Sequence, residues 1–406
     1  MSAVTTTTHP DPRAWQRVGL VLFAVGWGAN HFASLLLVYR ERLSLDAAAP
    51  GLLLGMYALG LVPGLLLAGP LSDRRGRRAL VLPSAAVALA ASVVLGAFGD
   101  NFAALLVGRL VYGLGAGGVM SAGAVWVIEL SRDAPAGAGP RRATIAMSSG
   151  FGLGPLITGV LAQYAPAPIV LPYAVHVVLL GTVLVLARGA PEPGDPSDPN
   201  GPRAPGEPRL RRQAAATGPL IRIQLDRAGW RRFARAVAPM APFVFAFPTI
   251  GFAVLPSMLG GSLGHAPAAY TGLLCALTLT AGVLAQPITR RFEPAVAARL
   301  GLVTGATGIA LGLVAVASQT PALLLVVAPI LGTAYGVCMT AGLFAVQRLA
   351  PPDARGGITG LYYVLTYVGF AAPYLLALAT HRVAPTVALG ITTGLMLTTA
   401  AILPPR

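Results

Sequence analysis

One decapeptide, Gly69–Pro70–Leu71–Ser72–Asp73–Arg74–Arg75–Gly76–Arg77–Arg78, holds one carboxylate and four guanidiniums. Such a set makes and breaks ion pairs rather than covalent bonds. A guanidinium keeps its charge at any ordinary pH, and the lone carboxylate has no second acid with which to share a proton. Gly69 permits close approach of another helix, and Gly76 permits a tight turn. Asp73 can accept from the arginines or sit at the N-terminus of a neighbouring helix, where the helix dipole favours a negative charge. Glu129 closes a later apolar run and is placed to pair with Arg77 or Arg78; the alternative is that it only neutralises local charge.

A second set lies inside long apolar runs: His31, Arg109 and His176, with Asn30 beside the first and no Asp or Glu among them. A buried guanidinium cannot shed its charge, so Arg109 needs a wet cavity or a hydrogen-bonding partner, unless it snorkels to an interface. With a reference pKa of about 6.5, either histidine can cycle a proton at physiological pH; the alternative for each is a neutral ring held in a helix contact. The stretch Gly26–Trp27–Gly28–Ala29–Asn30–His31 frames polar and aromatic groups with glycine and is expected to face an interior site. Further along, Tyr363 and Tyr367 share one helical face, with Tyr362, Thr366 and Tyr374 on the same run, Tyr335 and Gln347 on the preceding one, and Phe243, Phe245, Phe247 and Thr249 on another. A cavity walled by these rings, with few charges, suits a neutral or amphipathic organic ligand better than a small ion. The alternative is that the rings only pack helices.

Other chemistries find no residues. Cys275 and Cys338 both sit in apolar runs, so neither a disulfide framework nor a metal site is expected. Paired carboxylates, embedded nucleophiles and His/Asp clusters at usable spacing are lacking, which excludes most enzymes. A phosphate-cradling loop ends in lysine, and every one of the 29 basic residues is arginine.

The elements that must position these groups are long apolar helices. Of 406 residues, 55% are hydrophobic and 11% charged, with a mean hydropathy of +0.72. A soluble chain is about one quarter charged. The apolar residues fall in runs of about twenty, each long enough as a helix to cross a hydrocarbon layer about 30 Å thick. Twelve spans are expected, at 17–38, 51–71, 79–98, 103–128, 143–164, 168–187, 234–258, 269–288, 295–317, 322–347, 357–380 and 386–403. They form two halves of near-equal length, 17–187 and 234–403, between an N-terminal tail (1–16), a polar linker (188–233) and a short C-terminal tail (404–406). Leu110–Val111–Tyr112–Gly113 parallels Thr333–Ala334–Tyr335–Gly336, and Gly154–Pro155 parallels Ala372–Pro373, as an internal repeat would.

A net charge of +15 would suit nucleic acid, but its distribution points elsewhere. All arginines except Arg40, Arg42, Arg382 and Arg109 fall on the side that holds both termini, which the positive-inside rule assigns to the cytoplasm. The first run, roughly Val18 to Leu37, is too long for a cleaved leader and is expected to be the first span. Within the linker, Pro191 to Pro208 reads as disordered. Arg209 to Arg232 is basic, with Leu220, Ile221, Ile223, Leu225 and Trp230 interleaved, and either lies along the membrane surface on anionic lipid or is an ordinary solvated linker.

The decapeptide resembles the signature loop of the major facilitator superfamily at every specified position, and it falls in the expected loop on the expected side. The resemblance implies an all-α membrane protein of twelve helices in two pseudo-symmetric six-helix bundles. It also implies a latch formed by Gly69, Asp73, Gly76, Arg77, Arg78 and Glu129. The second half has Gln286–Pro287–Ile288–Thr289–Arg290–Arg291 at the corresponding loop, without the acid or the glycine, so its latch should differ. Arg109 followed by Gly113, Gly115 and Gly117 resembles the family's second motif, which implies proton coupling or substrate contact. Gly150, Gly154, Pro155 and Gly159 resemble the motif of its antiporters, except that Thr158–Gly159 replaces two final glycines; generic helix packing is the alternative. The implied function is secondary active transport by alternating access, with proton-coupled export of a small drug-like compound or metabolite as the leading form and uniport or symport as the rival. A non-transporting sensor and a membrane enzyme are remote. The expected solute cavity comprises Trp27, Asn30, His31, Arg109, His176, Tyr335, Tyr363 and Tyr367. The expected partners are a small-molecule substrate and membrane lipid, with no nucleic acid, no cofactor beyond a proton gradient, no metal, and a monomer in the plasma membrane.

Overall fold

The computed structural model describes residues 13–192, 223–351 and 354–404. Among these residues twelve helices are long and apolar enough to cross a membrane. In chain order they are α1 (Ala14–Arg42), α2 (Ala49–Arg75), α3 (Arg78–Ala97), α4 (Phe102–Glu129), α5 (Ala138–Tyr164), α6 (Val170–Ala187), α7 (Arg227–Leu263), α8 (Pro267–Thr289), α9 (Pro294–Ala317), α10 (Pro321–Leu349), α11 (Arg355–Thr380) and α12 (Pro385–Ile402). The described residues contain no strand. The start of α1, the end of α12 and the connections after α2, α4, α6, α8 and α10 share one side of the bundle. That side is the basic end, and the opposite side is the far end.

The buried side chains form two cores, one from α1–α6 and one from α7–α12, meeting at Ala33, Ala268 and Phe370. Small residues set the helix contacts, as expected where lipid supplies no hydrophobic drive between helices. A Cβ on Gly113 of α4 would strike the backbone of α2 at Tyr57 and Leu61, and one on Gly117 would lie 2.5 Å from the Leu61 carbonyl oxygen. The second half repeats this between α10 and α8, where Gly332 and Gly336 lie against the backbone at Thr278 and Gly282.

The halves touch through α5 with α8 and α2 with α11. At the far end Gly159 lies on Ala268 and Gly272, and Gly51 lies on Pro373 and Tyr374. The Gln163 amide donates to the His265 carbonyl (2.8 Å) and accepts from the Ala268 N–H (3.1 Å). The far end is therefore closed.

The seventh span departs from the expected 234–258. Its helix starts at Arg227, pauses between Val237 and Met240, resumes at Ala241, and carries a π turn at Ile250–Val254. Pro239, Pro242, Pro248 and Pro256 each withhold a backbone donor, which a hydropathy reading does not register. A second π turn, Val119–Gly123, interrupts α4, and a 3₁₀ turn, Val368–Ala371, interrupts α11. The linker residues 193–222, most of the segment expected to be disordered or basic, lie outside the described residues, as do 1–12 and 405–406. The described part of the basic segment forms the first turns of α7. Asp226 caps it by accepting from the Gly229 N–H (2.7 Å), Phe233 is buried, and Arg227, Arg231, Arg232 and Arg235 are exposed.

Candidate functional site

Between the halves lies a cavity of about 1190 Å³. Its mouth, at the basic end, carries Asp73 and Arg74 from α2, Gln286 from α8, Gln347 from α10 and Arg355 from α11. Deeper in, the charges disappear. Asn30 of α1, Tyr57 of α2, Thr249 and Phe252 of α7 and Tyr335 of α10 line it with Tyr363, Tyr367 and Phe370 of α11. Phe245 of α7 stacks on Tyr367 with centroids 4.6 Å apart and planes 12° off parallel, and it lies 5.0 Å from Phe370 and 5.5 Å from Tyr335. Tyr57, from the other half, reaches Phe370 at 6.1 Å. The result is a continuous aromatic floor with hydroxyl and amide groups beside it. Such a surface stacks on a ring or an apolar face while its polar groups orient a ligand.

Of the eight expected cavity residues, Asn30, Tyr335, Tyr363 and Tyr367 line this space, and Trp27, His31, Arg109 and His176 do not. Those four are packed inside the first half. Trp27 lies over Gly150 and Gly154 of α5. Arg109 is sandwiched between the rings of Phe32 (4.3 Å) and Tyr57 (4.5 Å), with its Nε 3.4 Å from the Leu53 carbonyl and Nη1 unpartnered. That oxygen is too far for a strong bond, so the ring faces carry the charge, at about 2 kcal/mol for a desolvated cation–π contact. The His31 and His176 rings meet edge to face at 5.0 Å, and His31 lies 4.7 Å from Tyr173. His176 Nε2 is 3.0 Å from the Ala24 carbonyl, so that nitrogen carries the proton and Nδ1 is left without a partner. Gly28 makes this possible, since a methyl group there would overlap the His176 ring and the Tyr112 hydroxyl. Trp27 Nε1, His31 Nδ1 and Thr158 Oγ1 are also buried without partners. Five of the six such atoms among the described residues thus sit in one half-bundle, where buried polar groups ordinarily find partners.

At the basic end, Arg77 forms a two-pronged pair with Glu129, Nη2–Oε1 at 3.0 Å and Nε–Oε2 at 3.2 Å. Its Nη1 reaches Ser72 Oγ (2.6 Å) and also pairs with Asp73. Burial works against the Arg77 charge, but the bonds and charge of Glu129 and Asp73 outweigh it and hold its pKa above the ordinary value. Gly76 adopts φ +95°, a left-handed conformation that admits glycine without strain. The backbone N–H groups of Arg77 and Arg78 both donate to the Glu192 carboxylate, at 2.6 and 2.7 Å, so the start of the linker caps α3. The Trp126 indole donates to the Pro191 carbonyl (3.0 Å) and the Arg17 guanidinium to that of Gly189 (2.6 Å), fixing the same segment. In the second half Glu293, in the loop after α8, pairs with Arg348 at the end of α10 (2.5 Å). This repeats the loop-to-helix pair of the first half with the charges exchanged, and both side chains are more than 60% exposed.

The glycines of the α5 motif divide their contacts. Gly150 and Gly154 lie on α1, and Gly159 lies on α8 of the other half. Between them the Pro155 carbonyl accepts from Ser34 Oγ (2.7 Å).

Residues 18–373 match the sequence profile of the Major Facilitator Superfamily. The chain belongs to that superfamily. It is a multi-pass membrane protein of a transporter family, not an enzyme. The chain is similar to the glucose transporter GlcP of Staphylococcus epidermidis, 32% identical over 106 residues, which is 26% of this chain and 24% of that protein. It is also similar to the human proton myo-inositol cotransporter, 35% identical over 109 residues, 27% of this chain and 17% of that protein. The match thus spans about a quarter or less of these curated relatives. A solved POT family transporter bound to 5-aminolevulinic acid shares the fold at a TM-score of 0.76 and 13% identity, covering 98% of this chain and 96% of that one. A point mutant of the nucleoside transporter NupG shares it at 0.73 and 13%, covering 96% and 98%.

Sequence reasoning passed over Tyr57, Phe370 and Glu192. Tyr57 had a signal: Tyr57, Leu61, Leu65, Gly69 and Asp73 recur every fourth residue and form one face of α2 leading to the signature loop. Phe370 had none, because the 3₁₀ turn at Val368–Ala371 sets its direction.

Proposed function

We propose that this transporter moves a neutral, amphipathic small organic molecule by alternating access of two rocking halves, exporting it in exchange for protons. The observation that carries the reading is the floor of the cavity, aromatic and hydroxylated, with its charged groups confined to the mouth. A charged solute would lack a countercharge there, and a small ion would lack a cage of oxygens. The arginine bias supports placing the basic end in the cytoplasm, with both termini there and the protein in the plasma membrane as a monomer. On that assignment the cavity is open inward. No carboxylate lines the middle of a described span, which leaves His31 and His176 as the proton carriers, beside the fixed charge of Arg109. The Gly76 turn and the pairs on Arg77 serve as the latch, with α5 through Gly150, Gly154, Pro155 and Gly159 as a sliding surface between halves.

A second reading is favoured by the names of the curated relatives: a sugar-like or polyol solute moved by uniport or symport. Sugar rings carry an apolar face that stacks on aromatics, and Asn30, Gln286 and Gln347 offer amides for hydroxyls.

The test uses the full chain in proteoliposomes, with counterflow of a panel that includes D-glucose, myo-inositol and uncharged aromatic compounds. A pH gradient of either sign is then imposed. The proposal expects an uncharged solute to accumulate on the acid side, opposite to the flow of protons, and His31→Asn or His176→Asn to abolish that accumulation while counterflow persists. Transport indifferent to the gradient and to both variants would remove the proton-coupled reading, and movement of polyols alone would favour the second one.

A further inference from the structure

A second, smaller space of about 190 Å³ lies between the halves at the far end, bounded by Leu36 and Arg40 of α1, Gly51 of α2, Ser257 and Met258 of α7 and Thr271 of α8. Phe252 lines both this crevice and the main cavity. We infer that the Phe252 ring is the plug that keeps the two spaces apart, so that the far end, held together by the α5–α8 and α2–α11 contacts, is sealed between those contacts by this side chain. The inference is independent of which solute is carried.

The backbone at Phe252 is built to move. It sits in the π turn Ile250–Val254, where an extra residue has been fitted into the helix. Pro256, four residues on, has no N–H to donate to the Phe252 carbonyl as a regular helix would require, and Pro248 withholds the donor one turn earlier. The Thr249 hydroxyl bonds back to the carbonyls of Phe245 (2.8 Å) and Ala246 (3.1 Å), a habit that loosens and bends helices. Phe252 is itself well packed, at 3% exposure. The ring is thus held firmly by its neighbours on a segment of helix where Pro248 and Pro256 each remove one backbone bond. Regularising the π turn would rotate Phe252 away from the seam and join the two spaces, without unwinding α7. Phe370 provides the contrast, because it lines the main cavity and not the crevice.

A phenyl ring fills the room of about three waters at about 30 Å³ each, so its removal opens a file of water size. The path it leaves is walled largely by apolar groups, and such constrictions resist wetting, so a polar replacement should open it further than alanine.

The experiment holds the far end shut and asks whether the plug alone seals it. In a Cys275→Ala, Cys338→Ala background, Gln163→Cys and His265→Cys, which is exposed at the far end, are bridged by a bifunctional maleimide across the α5–α8 seam. The protein is reconstituted, and water and glycerol permeation are read by stopped-flow light scattering. The bridged parent should be as tight as empty liposomes. Phe252→Ala should raise both rates several-fold, Phe252→Asn should raise them further, and Phe252→Leu, which keeps an apolar side chain in place, should stay near the parent. Phe370→Ala should be tight. If bridged Phe252→Ala and Phe252→Asn are both as tight as the parent while eluting as folded protein, other side chains form the seal and the inference is wrong. Equal leakage in Phe370→Ala would overturn it as well. Should Phe252→Ala not fold, the ordering of Phe252→Asn above Phe252→Leu decides.

Discussion

Replacing Glu192 by alanine removes a carboxylate that accepts two backbone hydrogen bonds, from Arg77 at 2.6 Å and Arg78 at 2.7 Å. Those N–H groups belong to the residue that precedes α3 and to its first residue, at the end where a helix has no internal partners for its donors. Loss of a helix cap costs about 0.5–2 kcal/mol, and a negative charge at an N-terminus contributes about 0.3–1 kcal/mol more. Glu192 is only half buried, so water takes over part of the role, and we expect about 1–2 kcal/mol locally. That corresponds to amides opening about 5–30 times more readily. Hydrogen exchange read by fragmentation mass spectrometry across residues 72–82 should show Arg77 and Arg78 exchanging faster by that factor, while α9 is unchanged. Glu192→Gln keeps one acceptor oxygen and should fall between the two. If both amides in Glu192→Ala exchange at the parent rate, Glu192 does not cap α3 and the linker is not docked on the signature loop.

Three further outcomes follow from the same contacts. Glu129→Gln should lower stability by about 2 kcal/mol, less than the roughly 3–5 kcal/mol of breaking a fully buried pair because both side chains are partly exposed and Asp73 still faces Arg77, whereas Glu293→Gln, in the exposed pair, should stay within about 1 kcal/mol; thermal melts in detergent compare them. Gly113→Ala forces a methyl group into the α2 backbone and should destabilise by about 1–3 kcal/mol, while Gly181→Ala, which meets nothing, should stabilise α6 by about 0.5–1 kcal/mol in the same melts. Replacing Arg227, Arg231, Arg232 and Arg235 together by glutamine should release phosphatidylglycerol, since each arginine near an anionic surface contributes about 1 kcal/mol; native mass spectrometry should find fewer such lipids retained, and equal retention would place the basic turns of α7 in solvent.

The signature loop could be read in advance because its meaning is local: Gly76 must turn and Arg77 must find acids, and both happen within a few residues or at the adjoining end of α4. The twelve spans were legible for a similar reason, since length and hydropathy act one helix at a time. What did not transfer was the facing of individual side chains. Asn30 lines the cavity while Trp27 and His31, on the same turns of α1, are turned into the first half. A step of one residue rotates a side chain by about 100°, and a polar residue in a span has two destinations, the cavity between halves or the interior of one half. Residue type does not distinguish them. Arg109 illustrates the second destination, held by Phe32 and Tyr57, residues far apart in sequence that only the packed bundle brings together. The irregular turns in α4, α7 and α11 escaped for another reason: hydropathy averages over them, yet they aim Ser121, Phe252 and Phe370 at the cavity.

The central claim is that the aromatic floor holds the transported solute. It is tested most directly by the affinity for that solute, from equilibrium exchange in proteoliposomes, in Phe245→Ala and Tyr367→Ala beside Gln347→Ala at the mouth. Loss of a stacked ring should weaken binding by about 0.5–1.5 kcal/mol beyond the contact area lost, roughly tenfold at the upper limit, with little change in Gln347→Ala. Affinity untouched by both ring deletions but lost in Gln347→Ala would place the solute at the mouth and contradict the account.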